Sequence, residues 1–290
     1  MLEKFSLEAF RKKNDKTQVE TERRDLSCLA KRAQESFAAN DFGTVLECLN
    51  QIKEKTLPEN ERTPEGLSLR EIKALFKNDF LGILEIEKFT GRKFSENEKK
   101  QIANMWTEKV KEQNLTREDI ERLKNEGFMV VLRTPMIMHE GRELLATIEN
   151  LRKKFKDLFY DLSWYKNEKF ATDKENAVRM AWAIVKKEVL DESRSKNWDE
   201  QEKILQQWAK EHKVDPKFVT RRTPAEAAYD IPAYYHARNK HILEKDWDWT
   251  DMQSSDGYFM LVGKFGSNGL GVNYVVRGYS SLYLGVCPSR

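Results

Sequence analysis

Hydrophobic residues recur at helical spacing through the first half of the chain. Leu26, Leu29, Ala30, Ala33 and Phe37 follow the i, i+3, i+4, i+7 pattern of an amphipathic helix. Asn40 and Asp41 interrupt it, and Phe42, Val45, Leu46, Leu49 and Ile52 mark a second helix. The turn-rich stretch from Leu57 to Glu65 reads as a linker. Helices are expected over Ser68 to Phe80, Ser95 to Gln113 and Thr116 to Glu126. Ser95 with Glu98, and Thr116 with Asp119, have the spacing of capping boxes. Gly127 opens a short apolar interlude that reads as a strand or a connector, and another helix is expected from Gly141 to Phe159.

The aromatic-rich stretch from Ser163 to His212 reads as loop, then helix or strand, then helix. Thr223, Pro224 and Glu226 fit the N-cap, N1 and N3 positions of one more helix. After Trp247-Asp248-Trp249 the period changes. Tyr258 to Phe265, Leu270 to Val276 and Leu282 to Pro288 read as short strands, with turns at Gly266–Gly269 and Arg277–Ser281. The pattern predicts an α+β protein: a helical domain over 1–127, a connector over 128–144 and a ligand-binding domain over 145–290.

Composition isolates the last stretch of that domain. From Phe265 to Arg290 there is no Lys, Glu, Gln, Met, Trp or Asp, although all six are used upstream. Seven of the 13 glycines fall between Gly257 and Gly285, among Tyr, Ser and Asn. Rigid amphipathic rings beside small, adaptable polar groups are the composition of binding loops.

Elsewhere the bulk figures exclude more than they propose. Lys and Arg (51) nearly balance Asp and Glu (48), and the signs interleave along the helices, so nothing calls for nucleic acid. No apolar run reaches membrane-spanning length and no signal peptide is seen, so a cytoplasmic protein without a membrane partner is expected. Cys28, Cys48 and Cys287 are odd in number and lack metal-ligand spacing, which suits a reducing compartment.

Two groups of residues carry a family resemblance. Arg222-Thr223-Pro224-Ala225-Glu226-Ala227-Ala228-Tyr229, followed by Trp247-Asp248-Trp249 and a close at Leu284-Gly285-Val286, resembles the C-type lectin fold in its formylglycine-generating-enzyme-like branch. The elements Trp164 to Phe170, Ser195 to Gln201, Ser255-Asp256-Gly257, Val262-Gly263, Gly269-Leu270 and Ser289-Arg290 resemble, more narrowly, the bacterial variable proteins diversified by retroelements. In that class adenines of a template copy are misread. Randomising the first two bases of an asparagine codon cannot produce Lys, Glu, Gln, Met or Trp, the residues missing from 265–290.

This resemblance implies a non-catalytic binding protein with a varied segment at about 264–288. Val262, Leu270, Val272, Leu284 and Val286 would point inward, and Gly263, Gly269 and Gly285 would hold turns or close contacts. Asn268, Gly271, Asn273, Tyr274, Val275, Arg277, Tyr279, Ser280, Ser281 and Tyr283 would form the exposed ligand-binding face. The tyrosines would be its anchors, for a protein or glycan ligand. The helical half is a candidate for self-association, which would add avidity.

Two other classes stay open: an enzyme of the formylglycine-generating kind, and a structural or regulatory protein acting through its helices. The first needs paired thiols for copper or a histidine cluster for iron. The candidate domain has Cys287 alone, with His236 and His241 lacking a third ligand, so no cofactor, metal or catalytic residue is expected. His139-Glu140 lacks the second histidine of a zinc-protease helix. The acids of Asp246–Asp251 lack the glycine and closing glutamate of an EF-hand. Arg221, Arg222 and Lys217 read as a small solvated basic patch.

Overall fold

Helix starts follow the side chains able to accept from free first-turn amides. Ser95, Thr116 and Thr223 each accept from the backbone amide three residues on, and Glu98, Asp119 and Glu226 accept in return. Both expected boxes are present, and Thr223, Pro224 and Glu226 hold the positions expected of them. The computed structural model describes residues 21, 23–39, 41–56, 67–160 and 163–290, so the expected linker at 57–65 lies outside the described residues.

Contacts divide the chain into two units, Met1–Thr63 and Pro64–Arg290. In the first, helices α1 (23–38) and α2 (Phe42–Thr56) are joined by a tight turn at Asp41, whose carboxylate accepts from the Thr44 amide and hydroxyl. Phe37 and Phe42 meet edge to face across that turn, 5.9 Å apart.

The second unit runs α3 (Leu69–Phe76), β1 (Phe80–Leu81), α4 (Ile83–Thr90), α5 (Glu96–Glu112), α6 (Arg117–Asn125), β2 (Phe128–Arg133), β3 (Met136–His139) and β4 (Arg142–Leu145). It continues through α7 (Ile148–Lys154), the short α8 (Lys169–Thr172), β5 (Ala181–Lys186), α9 (Trp198–Glu211) and α10 (Pro224–Arg238). The strands β6 (Trp247–Gln253), β7 (Phe259–Gly266), β8 (Gly269–Val275) and β9 (Leu284–Gly285) close it. The protein is α+β.

Three sheets form: β1-β2-β5, the β3-β4 hairpin, and β8-β7-β6-β9. β2 is buried along its whole length, which explains its unbroken apolar run Phe128–Leu132. β5 pairs with it antiparallel and β1 parallel. Trp106 Nε1 donates to Leu67 O and Trp182 Nε1 to Ile102 O. Helices α3–α6 thus share one core with β2 and β5, and the division by contacts falls at Thr63/Pro64.

The expected helix from Gly141 to Phe159 is instead β4 followed by α7. Glu140 and Gly141 both take positive φ (48° and 76°), the left-handed pair of a two-residue hairpin turn, which joins β3 to β4. Thr147 then caps α7 through the Asn150 amide. Among the described residues no helix is long and apolar enough to cross a membrane.

Candidate recognition surface

Alternation along β6, β7 and β8 gives the C-terminal sheet two unlike faces. Met260, Val262, Leu270 and Val272 join the main core beneath α10. On the other face Trp249, Phe259, Leu261 and Leu284 form a small separate cluster, flanked by Trp198, Trp247 and Val275. The residues expected to point inward, Val262, Leu270, Val272, Leu284 and Val286, are all buried, with Leu284 in the outer cluster.

β8 and β9 run in the same direction at opposite edges of this sheet. Residues 276–283 must therefore cross back over the outer face, and their backbone is pinned as they do. The Arg277 carbonyl accepts from the Trp198 amide at 3.3 Å, Ser281 O from Ser195 N at 3.0 Å, and Tyr283 O from Trp247 N at 2.7 Å. Arg194 Nη1 donates to Leu282 O at 3.2 Å while the same guanidinium holds Asp246 in a two-bonded ion pair. Arg277 pairs with Asp199, keeping that carboxyl below its usual range, and lies 5.1 Å from the Trp198 ring centre.

With the carbonyls engaged, the side chains turn outward. Val276, Tyr279, Leu282 and Tyr283 are 46–62% exposed. Lys264 lies 5.7 Å from the ring centres of both Trp247 and Tyr283, joining loop and sheet into one aromatic platform. Of the twelve large hydrophobic residues exposed among the described residues, four lie on the crossing loop: Val276, Tyr279, Leu282 and Tyr283. Such clustering distinguishes a contact surface from the scattered exposure of ordinary surfaces.

The expected face is only partly brought together. Asn273, Arg277, Tyr279, Ser280, Ser281 and Tyr283, with half-buried Val275, lie on the outer face or on the crossing loop. Tyr274 points to the opposite face, where its ring packs 4.7 Å from Trp164 and 5.0 Å from Tyr258. Asn268 sits in the β7–β8 turn, at the far end of that hairpin from Tyr274. Gly271 is not exposed: a Cβ there would lie 2.5 Å from Trp247 Cη2, so this position is a floor under the tryptophan. Gly269 (φ +88°) and Gly285 meet backbone or side chains at comparably short range, as expected of them.

Sequence reasoning missed Trp247, Trp198, Lys264, Val276 and Leu282. Val276 and Leu282 read as strand residues; what exposes them is the direction of β9, a tertiary fact with no local signal.

Below the platform lies a buried chain of charge. Arg133 donates to both oxygens of Asp230 (3.0 and 2.6 Å), Arg222 lies 3.5 Å from Asp230, and Arg222 Nε donates to Asp248 Oδ2 at 2.9 Å. The expected solvated basic patch is thereby corrected. Arg222 is fully buried, and Arg221 is buried with its guanidinium donating to Gln201, Trp198 O and Trp249 O. Burial pushes the Arg221 guanidinium down to about 10.

Residues weighed for metal chemistry are drawn elsewhere. Asp246 pairs with Arg194 and Asp248 with Arg222, while His236 packs beside Phe89 and His241 stacks on Tyr235. Cys287 is fully buried, and burial together with Asp248 raises its thiol well above the usual range. Among the described residues no three His, Cys, Asp or Glu side chains converge as a metal ion would need. Compared with protein-family models, curated proteins and solved structures, the chain matches none.

Proposed function

We propose that this chain is a non-catalytic binding protein that captures a protein ligand on the aromatic platform formed by Asn273 and residues 275–283 with Trp247 and Lys264. The observation that carries the reading is the crossing loop. Its backbone carbonyls are fixed by Trp198, Ser195, Arg194 and Trp247, while Val276, Tyr279, Leu282 and Tyr283 remain outside. A surface ordered before its ligand arrives loses little entropy on binding, and tyrosines bury large areas at small rotamer cost.

The same arrangement supports a diversified surface like that of retroelement variable proteins on a C-type-lectin-like scaffold. Exchanging an outward side chain on a pinned backbone leaves the fold undisturbed, and residues 265–290 lack Lys, Glu, Gln, Met and Trp. Self-association through α1 and α2 would multiply weak single sites.

Sequencing the 3′ end of the gene across a population tests the reading. Variation is expected at the codons of Asn273, Val276, Arg277, Tyr279, Ser280, Ser281, Leu282 and Tyr283, with Gly271, Leu284 and Gly285 fixed. A uniform 3′ end would remove diversification. Binding itself is then tested by whether Tyr279→Ala and Tyr283→Ala abolish capture of a selected ligand.

A further inference from the structure

Among the described residues Lys264 forms no ion pair, and its exposed side chain lies within the platform itself. The carboxylates bordering the crossing loop are engaged by other cations. Asp199 is held by Arg277, and Asp191 and Asp246 by Arg194. Exposed Glu244, its stem near Gly266, forms no ion pair with Lys264 either. Residues 257–290, which supply β7, β8 and the crossing loop, contain no Asp or Glu.

The backbone aims this side chain. Lys264 and Phe265 stand opposite Leu270 alone, a bulge between the paired residues Gly263–Gly271 and Gly266–Gly269. There Lys264 takes φ +46°, a left-handed conformation disfavoured for a residue with a Cβ. Two hydrogen bonds fix it: Lys264 N donates to Asp246 O at 2.8 Å, and Phe265 N to Leu243 O at 3.0 Å. Bulges re-aim side chains, and this one sets the ammonium 5.7 Å from the ring centres of both Trp247 and Tyr283. A ligand that covers both rings therefore covers the ammonium as well. Taking that charge out of water against a neutral surface is costly, whereas an opposing carboxylate gives it a charge-assisted hydrogen bond.

We propose, taking the platform as the binding site, that its protein ligands present an acidic epitope. An Asp or Glu carboxylate meets Lys264 Nζ, with apolar neighbours on Trp247, Leu282 and Tyr283. Lys264 thereby sets charge specificity, while the aromatic rings supply contact area.

The test is selection of a phage-displayed library of random dodecamer peptides on the immobilised full chain, after depletion on the Tyr279→Ala/Tyr283→Ala variant. Sequencing should show Asp and Glu enriched over the unselected library, beside aromatic or aliphatic residues. Synthetic copies of these peptides should bind Lys264→Met about tenfold more weakly than the wild type, the loss expected for a charged hydrogen bond. With Lys264→Glu as bait, selection should turn to peptides bearing Lys and Arg. Peptides that require the two tyrosines but carry no excess of acidic residues overturn the proposal and leave the platform standing. Equal affinity for the wild type and Lys264→Met does the same. If no peptide distinguishes the wild type from the double tyrosine variant, the platform reading itself fails, and the acidic epitope with it.

Discussion

Arg222 and Asp248 meet 2.7 Å apart, Nη2 to Oδ2, with neither side chain reaching solvent. Arg222 precedes α10 and Asp248 lies in β6, while the second oxygen of Asp248 accepts from the Cys287 amide beyond β9 at 2.8 Å. One carboxylate therefore joins three segments that lie far apart along the chain. Asp248→Asn should lower the unfolding free energy by about 3 kcal/mol, because the buried Arg222 guanidinium loses its nearer carboxylate and keeps only Asp230 at 3.5 Å. Urea denaturation gives the value. Adding Arg222→Met in the same chain should recover part of the loss.

Gly271 and Asn273 are neighbours on one strand face but should respond oppositely. Gly271→Ala drives a methyl group into Trp247 and should cost about 1–3 kcal/mol. Asn273→Ala, at an exposed position, should stay within about 0.5 kcal/mol of the wild type. Thermal denaturation of both variants separates floor from surface.

Tyr279 and Tyr283 should be dispensable for folding. Replacing either with alanine is expected to change stability by no more than about 0.5 kcal/mol, since the loop is held by its carbonyls. The pair should nonetheless abolish ligand capture. A large loss of stability in either variant would show that the rings are structural.

Lys109 makes stability depend on alkaline pH. Its folded value of about 8 lies below the ordinary 10.5, so the charged form is the penalised one. The penalty is complete below pH 8, shrinks as pH rises through the window from about 8 to 10.5, and is absent above it. Stability from this site thus increases with pH. Lys109→Met should raise the urea midpoint at pH 7, and the gap from the wild type should close by pH 10.5.

Fragments should locate the boundary of the larger unit. Residues 64–290 are expected to unfold cooperatively by themselves, since their core is internal to them. Residues 145–290 lack β2, the antiparallel partner of β5, and Trp106, whose ring packs 5.8 Å from that of Trp182. Circular dichroism of this shorter piece should show no cooperative transition.

Local chemistry made much of this fold legible. The boxes at Ser95, Thr116 and Thr223 located three helix starts, and glycine punctuation located β7 and β8 within a residue or two. What failed was information held between distant segments. The Glu140-Gly141 turn looked helical because its neighbours have helical spacing, while its hairpin depends on β4 finding β3. Gly271 looked like an adaptable loop residue because nothing in its neighbourhood announces the tryptophan 24 positions earlier that rests on it. Tyr274 was grouped with Tyr279 and Tyr283 by composition, but strand alternation turns it to the other face. Arg221 and Arg222 read as surface cations because their acceptors lie as far along the chain as Trp249 and Asp248.

The crossing at 276–283 has to span the sheet diagonally, roughly 20 Å from strand spacing and rise, between ends fixed at Val275 and Leu284. Removing or adding a residue would shift the carbonyls of Arg277, Ser281, Leu282 and Tyr283 out of register with their donors. History at this surface can therefore be written only by exchanging letters. Chains descended from a common ancestor should align here without a single gap, even where they no longer share one side chain.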